Sequence, residues 1–232
     1  MTNTLIILSN IKLPVSTAVM VLRQGLSLPL PLHNLMIGLL LGDAGVYRTT
    51  KSPTINSRLE FSFGQHRILF AKWIESMFEA YIQTSLKDLY VSSVAGGDKV
   101  HKSFRLKTLS LPLFNFYRDL FYVWDESLGK FVKVIPSNIF DLLSPAALAA
   151  FVMGDGNYQP DANTIRIYTN GFTHADVILL AEAIKMKYGI VVGVRHDRNQ
   201  QYILAIGSLQ IERFRSLVLP YMETSMLHRI GL

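Results

Sequence analysis

The sequence contains no cysteine, only two tryptophans and few charged residues for its length of 232 residues. Without cysteine the protein can form no disulfide bond, no thiolate metal site and no cysteine nucleophile. Only 17% of the residues are charged and 50% are hydrophobic, which excludes wholesale disorder and allows a substantial core. Acidic residues are outnumbered, 17 against 23 Lys and Arg. The formal net charge of +6 favours polyanionic partners such as nucleic acid or acidic lipid.

The sequence also lacks a long uninterrupted apolar run. A membrane-spanning helix needs about 20 consecutive apolar residues. Lys12 and Arg23 are among the residues that interrupt the N-terminal stretch, and Asp43 ends the run that begins at Leu35. We therefore expect no membrane partner. No acid precedes Asp43, as in transit peptides, but basic residues are also scarce there, so residues 1–32 are expected to form a loosely packed N-terminal arm.

Two segments repeat one pattern 112 positions apart (155 − 43). "GLLLGDAG" (38–45) and "AAFVMGDGN" (149–157) both place a single acid, Asp43 or Asp155, at the end of an apolar run rich in small residues. After each acid a polar turn, an alternating segment typical of a strand and an amphipathic helical segment follow in the same order. The pattern therefore predicts that each half has the element order α-β-β-α-β-β-α, and that residues 125–138 link the two halves.

Small residues on the two motif helices predict how these helices pack. Gly38 and Gly42 share one helix face, as do Ala150 and Gly154, and small residues four apart allow two backbones to approach closely. The first helix is expected to begin near His33. Parallel packing would bring the two acids together at negative helix ends, where they are stable only if one is protonated or a cation lies between them. Carboxylate and carbonyl oxygens suit Mg²⁺, so we expect a divalent metal site.

The two segments resemble a known motif. "MIGLLLGDA" (36–44) and "LAAFVMGDG" (148–156) are similar to the LAGLIDADG motif of homing endonucleases. "KVIPSNIFDLLSPAALAAFVMGDG" (133–156) and "LVLPYMETSMLHR" (217–229) resemble the single-chain, two-motif branch encoded in mitochondrial group I introns. The similarity covers about residues 33–230. It implies a mitochondrial location for the protein.

The resemblance implies an α+β fold. Two pseudo-symmetric αββαββα halves, residues 1–130 and 131–232, would pack through their paired LAGLIDADG helices. Their antiparallel sheets would form a DNA-binding saddle. Because both motifs lie in one chain, the protein is expected to be a monomer.

The resemblance also implies a catalytic role for both acids. Asp43 and Asp155 would bind divalent ions, assisted by the backbone carbonyls of Gly42 and Gly154. Mg²⁺ is the expected ion, and Mn²⁺ or Ca²⁺ would fit the same sites. Water activated by the metal would attack one phosphodiester bond in each DNA strand.

Two basic residues match positions that the family places near the scissile phosphates. Lys133 has the usual residue type, whereas Arg229 stands where lysine is usual. Arginine cannot readily lose a proton, so Arg229 fits a transition-state stabiliser and not a general base. The first motif departs from the family pattern at Leu41 and Ala44 but retains its acid.

Residues that contact DNA are expected on the solvent faces of the strands, as polar side chains that match the edges of bases. A single Arg or Lys contacts phosphate more often than a base. The predicted DNA-binding residues are Arg58, Glu60, Ser62, Arg105, Lys107, Arg166, Tyr168, Asn170, Arg195 and Tyr202.

The sequence therefore predicts a site-specific endonuclease that cuts both strands of a double-stranded DNA target with divalent metal. Two alternatives remain open. The protein could be a maturase that binds intron RNA and assists splicing, with or without nuclease activity. It could also be a DNA-binding regulator that has the fold without the chemistry.

Overall fold

The computed structural model describes residues 27–48, 50, 55–92, 100–199 and 201–232. Most of the predicted N-terminal arm, residues 1–26, lies outside the described residues. The first half contains α1 (Leu30–Leu41), β1 (Gly45–Tyr47), β2 (Arg58–Gly64), α2 (Ile68–Met77), β3 (Ile82–Ser92), β4 (Val100–Thr108) and α3 (Leu113–Phe121).

A hairpin and a short helix connect the halves: β5 (Tyr122–Asp125), β6 (Lys130–Lys133) and α4 (Ile139–Leu142). The second half contains α5 (Pro145–Asp155), β7 (Gly156–Gln159), β8 (Thr164–Tyr168), α6 (His174–Tyr188), β9 (Val192–His196), β10 (Tyr202–Ile206) and α7 (Ser208–Val218). A 3₁₀ segment, Thr224–Ile230, follows near the C-terminus.

Each half has the predicted α-β-β-α-β-β-α order, and the predicted α+β fold is confirmed. The first sheet has the strand order β1-β2-β4-β3 and the second has β7-β8-β10-β9, with antiparallel pairing throughout. The two sheets therefore share one topology, as expected of two pseudo-symmetric halves.

Two local expectations differ from the structure. Helix α1 begins at Leu30 and not near His33, because Pro31 is tolerated in a first turn, where its missing N–H would lack a partner anyway. The predicted linker also contains regular structure, since β6 pairs with β5 in an antiparallel hairpin. Its turn is closed by the Asp125 carboxylate, which accepts a hydrogen bond from the Leu128 N–H, and Gly129 adopts a positive φ of 57°.

Helices α1 and α5 form the centre of the molecule. Residues 35–41 of α1 and 147–154 of α5 are buried, as expected for helices that are apolar on all sides. A Cβ on Gly38 would collide with the carbonyl oxygen of Ala147 and lie only 2.6 Å from the Cβ of Ala150. The predicted close contact between the two helices is therefore present at Gly38.

Helices α5 and α6 of the second half begin and end at the capping residues that the sequence indicates. Ser144 caps α5 by accepting a hydrogen bond from the Ala147 N–H, and α6 begins with a capping box between Thr173 and Asp176. Gly189 ends α6 with a φ of 63°. Among the described residues no helix is both long enough and apolar enough to cross a bilayer.

Candidate active site

The two acids lie together where α1 and α5 end. Asp43 follows α1 by two residues, and Asp155 is the last residue of α5. Gly38 contacts the early part of α5, whereas Gly42 contacts the Asp155 carboxylate, so the two helices run in the same direction. Asp155 Oδ2 lies against Gly42, the residue before Asp43, and the charge of Asp43 acts on the Asp155 carboxyl group. The structure therefore brings together the two carboxylates that the repeat predicted.

The environments of the two acids are different. Burial and the neighbouring charge of Asp43 raise the pKa of Asp155 to about 7, and the positive charges of Arg67 and Lys133 only partly oppose this. The side chain of Asp43 is 53% exposed and accepts a hydrogen bond of 3.0 Å from Arg67 Nη1. The pair thus consists of one exposed, ion-paired carboxylate and one partly buried carboxyl group whose pKa lies near neutral pH.

Lys133 and Arg229 hold main-chain oxygens beside the two acids. Lys133 Nζ, at the end of β6, donates to the carbonyls of Gly42 (2.7 Å) and Ala44 (2.9 Å), on either side of Asp43 in the chain. Arg229 Nη1 donates to the carbonyl of Gly156 (2.7 Å), the residue after Asp155. Both predicted basic residues therefore lie next to the acid pair.

Burial lowers the pKa of both basic groups. It lowers the pKa of Lys133 to about 8, although the negative charges of Asp155 and Asp43 act in the opposite direction. The pKa of Arg229 is also lowered, by burial and then by the charge of Arg67. Lys133 can therefore exchange a proton near neutral pH, whereas an arginine keeps its charge throughout that range.

The two motif glycines have different surroundings. The Gly42 carbonyl already accepts a hydrogen bond from Lys133, so a metal ion bound to it would use its second lone pair. Gly154 has no atom within 4 Å of the position of a Cβ, and it borders a cavity of about 10 Å³ with Leu39 and Ala150. The expectation that Gly154 contacts α1 is therefore wrong. The cavity beside Gly154 has room for about one water molecule.

The acid pair matches the ligand preferences of a divalent cation. In the described part of the chain, no three side chains of His, Cys, Asp or Glu gather into a cluster. The oxygens at the site are those of Asp43, Asp155 and nearby carbonyls, which are hard ligands of the kind that Mg²⁺ and Mn²⁺ prefer. Burial and, after it, the negative charge of Asp43 raise the pKa of Asp155, and a cation bound between the two acids would lower it again.

In the first half the predicted DNA-binding residues share one face of the sheet. Glu60 pairs with Lys107 and Ser62 pairs with Arg105 between β2 and β4, and Arg58 is two residues before Glu60 on the same face. Glu60 is buried and is held by Arg58 (2.7 Å), Arg105 and Lys107 (3.8 Å). Burial opposes its ionisation, but the hydrogen bonds from both arginines lower its pKa. Glu60 therefore orients cations and is not a free acceptor for bases.

A groove of about 380 Å³ leads from this face to Asp43. It is lined by Asp43, Tyr47, Glu60, Ser62 and Arg105. Tyr47, which the sequence did not single out, pairs with Arg58 across β1 and β2 and is exposed. The sequence could have indicated Tyr47, because Gly45 pairs with Glu60 and residues two apart in a strand lie on the same face.

The second sheet has a comparable polar face. Ile203 pairs with both Tyr168 and Arg195, which places these two side chains on one face. Arg166, two residues before Tyr168, shares that face and is exposed, and exposed Asn170 lies just beyond the end of β8.

Tyr202 does not belong to this face, contrary to the sequence-based expectation. In β10 it alternates onto the same side as the core residues Leu204 and Ile206. Its ring stacks on His174 at the start of α6, with 4.0 Å between ring centroids. The signal was in the sequence, because Tyr202, Leu204 and Ile206 are spaced at the strand period of two.

The site's geometry agrees with a match to a protein family. The sequence profile of the LAGLIDADG DNA endonuclease family matches residues 33–214. The chain belongs to this family. The DNA endonuclease I-ChuI of Chlamydomonas applanata is 26% identical over 204 residues, which cover 85% of this chain and 93% of that relative. The cytochrome b mRNA maturase bI2 of Saccharomyces cerevisiae is 23% identical over 202 residues, 85% of this chain and 47% of the maturase.

Solved LAGLIDADG structures share the fold. The homing endonuclease I-WcaI bound to its DNA recognition sequence superposes with a TM-score of 0.79 over 94% of this chain and 93% of that chain, at 19% identity. I-DmoI in complex with DNA and Mn superposes with a TM-score of 0.50 over 82% of this chain and 96% of that chain, at 15% identity. The paired motif helices and the two sheets of this chain therefore have the architecture of a homing endonuclease.

Proposed function

We propose that this LAGLIDADG protein is a site-specific endonuclease that cuts both strands of double-stranded DNA. The observation that carries the proposal is the pair of Asp43 and Asp155, brought together at the ends of two helices from different halves and flanked by Lys133 and Arg229. The names of the relatives, an endonuclease and a homing endonuclease bound to its recognition sequence, support it.

Divalent metal is part of the proposal, with Mg²⁺ as the natural ion. Asp43, Asp155 and the Gly42 carbonyl would hold it, and the I-DmoI complex with DNA and Mn supports a divalent ion in this fold. When bound, the metal supplies an activated water and stabilises the leaving oxygen of the phosphodiester. Gly154 is the weaker of the two candidates, since the position of its Cβ has no neighbour within 4 Å, whereas that of Gly42 faces the Asp155 carboxylate.

The basic residues act on the phosphate without changing the metal ligands. Lys133 holds the chain on both sides of Asp43 and, with its pKa of about 8, can donate or accept a proton near neutral pH. Arg229 supplies a fixed charge beside Asp155 that stabilises the negative phosphate in the transition state.

The two polar sheet faces supply DNA recognition, as the two sides of a saddle. Phosphate contacts give affinity and base contacts give specificity. Arg166, Tyr168 and Arg195 are the free candidates in the second half, whereas in the first half Glu60 aligns Arg58 and Arg105. One chain carries both acids, so a monomer made of halves 1–130 and 131–232 suffices for cleavage.

The decisive experiment first identifies a cleavable site from a randomised DNA library and then compares variants on that site. Asp43→Asn and Asp155→Asn should each abolish cleavage in Mg²⁺ and retain DNA binding in a gel-shift assay. Binding should weaken about a thousandfold between 50 and 200 mM salt if several phosphates are contacted. Full cleavage by either variant, or by the wild type in EDTA, would overturn the assignment.

A maturase function is the second candidate, because the chain is similar over 85% of its length to a cytochrome b mRNA maturase. The same similarity supports an origin in a mitochondrial intron. Splicing of the host intron RNA by the purified protein would support an RNA partner. If Asp155→Asn lost cleavage but retained splicing, the two activities would use different parts of the surface.

A further inference from the structure

The two halves can be aligned residue by residue at the turn between the second strand and the following helix. Strands β2 and β8 begin at Arg58 and Thr164, and helices α2 and α6 begin at Ile68 and His174. Both distances equal 106 positions (164 − 58 and 174 − 68). Arg67, the last residue before α2, therefore corresponds to Thr173, the last residue before α6.

The residues at this shared position make different contacts. The Thr173 hydroxyl accepts a hydrogen bond from the Asp176 N–H, and the Asp176 carboxylate accepts one from the Thr173 N–H, which satisfies the first turn of α6. At the corresponding position Arg67 provides no side-chain cap for α2. Arg67 ends a 3₁₀ turn (Gln65–Arg67) that runs directly into α2, so its side chain is not needed as a cap and is available for another contact.

The guanidinium of Arg67 is directed to the first acid. Its Nη1 donates to Asp43 Oδ2 at 3.0 Å, and the side chain is only 19% exposed. Its Nε is buried and has no hydrogen-bond partner within the described part of the chain. Arg67 also lines the small cavity beside Asp43 and Gly154. The arginine is thus held in a confined position against a single oxygen of Asp43.

Asp155 has no equivalent contact. Across the described ranges, no Lys or Arg side chain forms an ion pair with Asp155, and Arg229 donates to the Gly156 carbonyl. Lys133 and Arg229 thus follow the pseudo-symmetry, each on a main-chain carbonyl beside one acid, whereas the ion pair of Arg67 with Asp43 does not. A charge-assisted hydrogen bond from a planar guanidinium adds geometric specificity, which the Asp43 carboxylate has and the Asp155 carboxylate lacks.

We propose that Arg67 is a positioning residue for Asp43 that favours hydrolysis of one DNA strand over the other, so that the duplex is cut in two ordered steps. The inference rests on the proposed nuclease function. Arg67 orients the carboxylate oxygen that it contacts, and Thr173 leaves Asp155 without that aid. Loss of a residue that orients a metal-binding group costs about 10–100-fold in metal affinity or activity. The loss of activity should affect mainly the hydrolysis of one DNA strand.

The test measures the two strands separately. A duplex containing the cleavable site carries a different label at each 5′ end, and single-turnover rates are followed over a titration of Mg²⁺. Arg67→Thr places in the first half the residue of the second half. It should slow one strand about 10–100-fold, slow the other much less, and raise the Mg²⁺ concentration needed for half-maximal rate. A melting curve checks that the variant is folded, and no helix cap is lost, because Arg67 makes no cap hydrogen bond in the wild type.

Two further variants serve as controls. Arg67→Lys keeps the positive charge but loses the planar fork, so it should restore part of the slowed rate. Thr173→Ala removes the cap of α6 and should lower the melting temperature while the ratio of the two strand rates stays as in the wild type.

The outcomes separate the inference from the function on which it rests. Failure of the wild type to cut either strand refutes the nuclease proposal. If the wild type cuts both strands and Arg67→Thr slows them equally, or not at all, the positioning role is refuted while the nuclease function stands. A change of strand ratio in Thr173→Ala would also refute it, because helix capping alone would then account for the effect.

Discussion

Replacement of Asp155 by asparagine should stabilise the metal-free protein at alkaline pH, although it should abolish cleavage. Burial and the charge of Asp43 raise the pKa of Asp155 from 3.8 to about 7. The folded protein keeps this proton over a range in which the unfolded chain has lost it. The free energy of unfolding should therefore fall as the pH rises from about 4 to about 7. One pKa unit corresponds to about 1.4 kcal/mol, so the ionised carboxyl costs the folded state on the order of 4 kcal/mol above pH 7.

The assay is urea unfolding in EDTA, carried out at about pH 5 and at about pH 8.5 for the wild type and for Asp155→Asn. Asparagine keeps the size of the side chain, and its amide can donate a hydrogen bond to Asp43. The two proteins should be similarly stable at the lower pH. At the higher pH the variant should be more stable by several kcal/mol, since it has no charge to bury.

Asp43→Asn is the matched control. The Asp43 side chain is 53% exposed, so its own burial contributes little, but loss of its charge should lower the pKa of Asp155 and flatten part of the pH profile. Added Mg²⁺ should stabilise the wild type by binding and should stabilise Asp155→Asn much less. If the stability difference between the wild type and Asp155→Asn were the same at both pH values, Asp155 would be ionised at no cost and the reasoning would be refuted.

Other substitutions test separate parts of the structure. Lys133→Ala should slow cleavage about 10²–10³-fold with a much smaller loss of DNA affinity, as for loss of one positioned electrostatic donor; equal losses in both assays would contradict this role. Gly38→Ala should lower the free energy of unfolding by about 1–3 kcal/mol because its Cβ collides with α5, whereas Gly154→Ala enters open space and should not destabilise; a harmless Gly38→Ala would exclude the close contact. Tyr168→Ala should weaken DNA binding in a gel shift, whereas Tyr202→Ala, on the helix side of the sheet, should lower the melting temperature instead; the reverse result would mean that the faces are exchanged.

Periodicity was sufficient to predict the order of elements in both halves, because the long segments carry strong patterns. The alternation of "RLEFSF" and the apolar surface of α5 leave little choice between strand and helix. The β5–β6 hairpin was missed because four-residue strands are too short for a period to stand out, and its turn depends on the Asp125 side chain. The start of α1 was missed because prolines suggest a break, although the first helical turn tolerates them.

The repetition of the motif predicted the two acids, but their immediate partners lie beyond what a pattern can predict. Arg67 contacts Asp43 across 24 positions, and that contact depends on the exact orientation of the turn before α2. Alternation placed Glu60 on the correct face, yet it could not reveal that neighbouring cations hold its carboxylate. Pairwise electrostatics of this kind depends on strand register and rotamers, which a single sequence does not encode in any local period.

The position of Asp155 carries a free-energy cost at alkaline pH that a bound cation would reduce. An asparagine there would avoid the cost of burying a charge, and the positive charges of Arg67 and Lys133 offset only part of that cost. A divalent cation would remove the repulsion between the two carboxylates, so part of the binding energy of the metal is the relief of this unfavourable charge. Each acid comes from a different half, so the repulsion between the two carboxylates arises only because α1 packs against α5. In the proposed enzyme the duplicated helices would therefore supply the two metal-binding acids, whereas Arg67, which has no counterpart at Thr173, would distinguish the two DNA strands.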